Sequence, residues 1–183
     1  MAAVAFYAGG YHLVIYLVQR RAIKYLVFSL FCVLIGFYEV FCAGLYKAAS
    51  IEQGIFWQQL QLESVALITI CVTWLVSIYT ARISRSFRQR VAAGAVLFVI
   101  MSRMLPTTLT LSVERPAVKN IGVADWFDVT YYESELGILY LVGLVVMLGL
   151  YLYLLGTLVA YYQHKRSRET LFIMASQFPL LFA

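Results

Sequence analysis

Between Lys24 and Lys47 the chain reads YLVFSLFCVLIGFYEVFCAGLY, an apolar run broken by a single charge, Glu39. As a helix rising about 1.5 Å per residue, such a run is long enough to cross the roughly 30 Å hydrocarbon core of a bilayer. Five other stretches read the same way. Apolar runs over about 2–18, 55–81, 91–105, 135–162 and 170–183 join 24–46 to make six predicted helices. Barrel strands would alternate in short segments, whereas these runs are continuously apolar. Composition agrees, with 63% hydrophobic and 13% charged residues, against about 25% charged in soluble domains. The 183 residues therefore predict one all-α domain, a polytopic transmembrane helical bundle of six spans, with no room for a second soluble domain.

The net charge of +5 is distributed along the chain in a way that sets orientation. Arg20, Arg21 and Lys24, then Arg82, Arg85, Arg88 and Arg90, then Lys165, Arg166 and Arg168 fall in alternate connections, with Glu169 as the only acid beside them. The opposite connections hold Lys47, Arg115 and Lys119 against Glu52, Glu114, Asp125, Asp128, Glu133 and Glu135. The positive-inside rule makes the first set cytoplasmic and places the N-terminus outside. The opening MAAVAFYAGGYHLVIYLVQRR lacks a basic leader and a small-residue cleavage site after it, so it reads as a first span rather than a signal peptide. The ending QFPLLFA has no polar flank and is expected to belong to a truncated seven-helix module.

The one long connection, Pro106 to Glu135 with outer loop 106–134, contains alternating TLTLSVE, turn-rich RPAVKNIG and aromatic WFDVTYY. A small extracellular β-hairpin-like cap is predicted there, serving recognition or merely lidding the bundle.

An ionised side chain at bilayer depth costs about 2.5–3.5 kcal/mol on insertion scales, so such groups face the bundle interior, water or a partner. Glu39 lies about 22 Å along its helix from Lys24, Glu63 about 28 Å from Arg82, and Arg103 about 20 Å from Arg90. All three reach a similar outer level. Arg103 is expected to pair with Glu39 or Glu63, forming the polar floor of a ligand pocket beneath the outer loop. Gln59, one turn before Glu63, is a candidate for the same pocket, and His12 a further one at mid-depth. The competing readings are an interfacial Glu63, an Arg103 that snorkels to headgroups, a helix start that carries amides after Trp57, and a packing role for His12.

No P-loop, HExxH, nucleophile elbow, CxxC or intramembrane aspartate pair is present, so no catalytic residue is assigned within this segment. No cofactor or metal is expected. The only second histidine, His164, lies in a basic cluster, and Cys32, Cys42 and Cys71 have no ligand-like spacing and read as free thiols. The short juxtamembrane basic clusters fit anionic lipid rather than nucleic acid.

FYAGGYHLVIYLVQRR, KYLVFSLFCVLIGFYEVFCAGLY and QGIFWQQLQLESVALITICVTWLVSIYT resemble the N-terminal seven-helix membrane region of bacterial sensor histidine kinases and related signalling proteins. The likeness covers residues 5–80. It implies a sensory input module that receives an extracellular, lipidic or membrane-borne small-molecule cue and passes it to a C-terminal output domain in the same chain, within a homodimer. The full-length protein would then be a histidine kinase or diguanylate cyclase. The alternatives are a small transporter or channel-like protein using Glu39, Glu63 and Arg103, and a membrane enzyme starting from His12 and Glu39.

Overall fold

A computed structural model describes residues 1–19, 22–105, 107–123 and 127–165. The run 170–183 and the charges at Arg20, Arg21, Arg166 and Arg168 lie outside them. The described chain is a helical bundle of α1 (Ala2–Val18), α2 (Ile23–Tyr46), α3 (Ile51–Thr80), α4 (Arg85–Met104), the single turn α5 (Thr107–Thr110) and α6 (Ile138–Lys165). Strands β1 (Leu111–Val123) and β2 (Phe127–Leu136) intervene before α6 and pair antiparallel. Three helices, α2, α3 and α6, are long and apolar enough to cross a membrane. Of the other two long helices, α1 is a shorter apolar helix, and α4 carries Arg85, Arg88, Arg90 and Arg103.

Local chemistry sets the helix ends. Ser50 caps α3, its Oγ accepting from the Gln53 amide at 3.3 Å, while Gln53 Oε1 accepts from the Ala49 amide at 3.1 Å. This is a near relative of the capping box. Ser84 Oγ accepts from the Phe87 amide at 3.2 Å and starts α4 six residues before the apolar run predicted from 91, so the arginines form the first turns of the helix rather than a loop. Between these helices Ala81 is left-handed, with φ 54° and ψ 13°. That conformation costs a Cβ-bearing residue about 1 kcal/mol. Ala81→Gly is accordingly expected to raise stability by about 0.5 kcal/mol in equilibrium unfolding, and a lower midpoint would show that the turn is unstrained.

The strand register runs from Leu111 opposite Leu136 to Val123 opposite Phe127, slipping between Ser112 and Pro116. The segment RPAVKNIG, expected to turn, is strand instead. Its proline stands where the ladder is already irregular, a place where the missing N–H costs least.

α3 is the central helix. Its Ile68, Cys71, Val72, Leu75 and Val76 form a core with Val27, Phe31 and Cys32 of α2 and Leu154 and Leu158 of α6. α1 packs on α2 through small residues: a Cβ on Gly9 would stand 2.9 Å from Val33 Cγ2, and Ser29 Oγ donates to the Gly9 carbonyl at 2.7 Å. Such close approach with a buried cross-helix hydrogen bond is how helices associate where solvent is as apolar as the side chains. The outer faces of α1, α4 and α6 remain apolar and exposed, among them Val4, Leu97, Val145 and Leu148. Contiguous apolar exposure on this scale suits contact with lipid rather than water.

Candidate functional site

The polar residues of α3 sort by helical face. Gln58 and Gln61 point to different neighbours, because residues three apart are displaced around the helix. Gln58 Nε2 donates to the Ser134 carbonyl and its Oε1 accepts from the Ser134 amide, both at 2.9 Å. The side-chain amide thus meets the outer edge of β2 as another strand would. Gln61 turns to α2, where its Nε2 lies 3.3 Å from the Tyr38 hydroxyl and 3.0 Å from Cys42 Sγ.

Glu63 faces α4 and is buried, at 6% exposed. Its Oε2 accepts from Arg103 Nη2 at 2.6 Å, and its Oε1 accepts from Ser102 Oγ at 2.7 Å. These are charge-assisted bonds, roughly twice as strong as neutral ones. Gln59 extends the group weakly, its Nε2 lying 3.4 Å from the Ser102 carbonyl. From α6, the ring of Tyr140 packs edge-on to Phe98 with centroids 5.4 Å apart. Its hydroxyl stands beside Ser102, Glu63 and Arg103. That hydroxyl is fully buried, and its nearest partner is the Ser102 side chain, with which it closes no hydrogen bond of full geometry.

The result is one polar cluster joining three helices, with a buried acid from α3, a serine and a half-exposed arginine from α4, and a buried phenol from α6. Chemically it offers guanidinium and phenol donors to a ligand's carbonyl, carboxylate or phosphate. Among the described residues no group of three histidine, cysteine or acidic side chains comes together to hold a metal ion.

Of the five residues singled out in the sequence, Glu63, Arg103 and Gln59 come together and the other two stand apart. Glu39 is half-buried on α2 near Tyr38 and Cys42, and no described residue forms an ion pair with it. His12 lies between α1 and α2, edge-on to Phe28 at 4.5 Å and stacked on Tyr25 at 6.0 Å, with its buried Nδ1 unpartnered. Ser102 and Tyr140 escaped the sequence reading. Ser102 had one available sign, a small hydroxyl beside Arg103 at the end of an apolar run. Tyr140 had none, being one of fourteen tyrosines.

No family model matches this chain, and neither characterised proteins nor solved structures show a significant match to it.

Proposed function

We propose that the chain is a membrane-embedded sensory module, the input part of a bacterial signal-transduction protein of the sensor histidine kinase kind. In this reading the apolar runs make six spans, the N-terminus and the β1–β2 pair lie outside the cytoplasmic membrane, and a cytoplasmic output domain receives the signal. The observation that supports it is the Tyr140 hydroxyl, buried beside Ser102 and the Glu63–Arg103 pair without a hydrogen bond of full geometry. In this reading the present packing of the three helices is one of two states of the module. A cue that accepts from Tyr140 and Arg103 would favour one packing and shift the balance only by its differential affinity. The polar groups gather at one level instead of lining a path through the bundle, which favours a receptor over a transporter.

Tyr140→Phe is the decisive substitution because it removes the hydroxyl alone, which closes no hydrogen bond of full geometry in the present packing. Thermal stability is expected to hold or rise by up to about 1 kcal/mol, while the transcriptional response of the mutant strain approaches that of a deletion strain. A strain indistinguishable from wild type would sink the sensory site. Glu63-dependent solute flux in proteoliposomes would replace the receptor reading with transport.

A further inference from the structure

Below the polar cluster, α3 packs on both α4 and α6, but α4 and α6 are held apart by two aromatic bridges. At one end Phe98 meets Tyr140 and presses on Gly143, where an added Cβ would stand 2.6 Å from the Phe98 ring. At the other, Phe87 meets Tyr153 with centroids 5.2 Å apart. Between the bridges α4 presents Gly94 and Ala95, too small to close the gap, and a Cβ added at Gly94 would meet nothing within 4 Å. A crevice of about 590 Å³ results, its walls apolar apart from Thr69, Arg90 and Tyr153. The Thr69 hydroxyl is already committed to the Val65 carbonyl at 2.8 Å.

Tyr153 also borders a second cavity, of about 410 Å³, lined by Arg82, Gly156 and Thr157. Tyr153 lines both, and each is lined by one arginine. No acidic residue lines either one, and no described residue forms an ion pair with Arg82 or Arg90.

We propose that this crevice binds one anionic membrane lipid, its acyl chain lying between α4 and α6 and its phosphate held at the end marked by Arg90 and Arg82. The distance from Phe87 to Phe98 along α4 is about 16 Å, close to the depth of one leaflet, about half of 30 Å. An acyl chain fits, and the two arginines, without an ion pair among the described residues, select an anionic headgroup over a zwitterionic one. This site stands independently of the sensory reading, since it involves neither Glu63 nor the Tyr140 hydroxyl.

The test uses the full chain in nanodiscs of equal parts phosphatidylglycerol and phosphatidylcholine, with a photoreactive diazirine on the acyl chain of one lipid or the other. Labelling of α4 near Gly94 is expected from phosphatidylglycerol, and to fall about fivefold for each of Arg90→Gln and Arg82→Gln. Gly94→Leu, which puts a side chain into the crevice from a position whose Cβ would meet nothing within 4 Å, is expected to remove most of the label while leaving the melting temperature unchanged or higher. Equal labelling by both lipids would overturn the proposal, as would labelling that survives Gly94→Leu. So would efficient disulfide formation from Gly94→Cys, either to Ile173→Cys in the same chain or to Gly94→Cys of a second copy, because protein would then occupy the crevice.

Discussion

Replacing Arg103 by alanine is expected to destabilise the bundle by about 2–3 kcal/mol. Glu63, at 8% side-chain exposure, would keep the Ser102 hydroxyl but lose the only cation beside it among the described residues. Breaking a fully buried pair from one side costs about 3–5 kcal/mol because an uncompensated charge stays behind. Arg103 is 41% exposed, and solvent at its outer side reduces that figure. The double change Glu63→Leu with Arg103→Leu leaves no orphan charge and is expected to be less damaging than Arg103→Ala alone. Equilibrium unfolding in mixed micelles measures both. An Arg103→Ala protein within about 0.5 kcal/mol of wild type, the range of inert surface substitutions, would mean that headgroups or water satisfy Glu63 and that the cluster is not a unit.

The second large effect concerns the latch between α3 and β2. Gln58→Leu keeps the side-chain volume close but removes both hydrogen bonds that Gln58 makes to the Ser134 backbone in one step. Leaving two buried backbone groups without these bonds is expected to cost about 2–4 kcal/mol and to speed hydrogen exchange at the Ser134 amide. Gly54→Leu attacks the same contact independently. A Cβ at Gly54 would stand 2.5 Å from the Tyr132 carbonyl oxygen, and backbone cannot swing aside as a long side chain can. Both variants should therefore expose β2 to protease while the helix content stays near that of wild type. Unchanged exchange at Ser134 in Gln58→Leu would show that the strand pair is held by β1 alone.

Both effects arise from side chains that one-dimensional reading treated as ambiguous. Trp57 and the amides after it fit a helix entering the membrane interface as well as they fit a pocket. Folding resolves them individually: Gln58 serves β2, Gln61 serves α2, and only Gln59 reaches toward α4. Depth along a helix could be counted from the basic clusters, and it brought Glu39, Glu63 and Arg103 to one level. Azimuth could not be counted, because neighbours around a helix depend on which helices lie beside it.

What the chain dictates without its fold is therefore the set of long helices and the rarity of charge within them. Apolar runs of this length have few ways to satisfy their backbones except as helices, and each isolated charge must find a partner. Tertiary packing alone decided that Arg103 pairs with Glu63 and leaves Glu39 apart, and that Tyr140 from a distant helix completes the cluster. It also decided that Phe87 and Phe98 keep α4 away from α6. Hydrophobic periodicity specifies that a surface is buried, but not which surface covers it, and partner choice between helices of similar apolar character rests on where small residues and bulky rings happen to interlock.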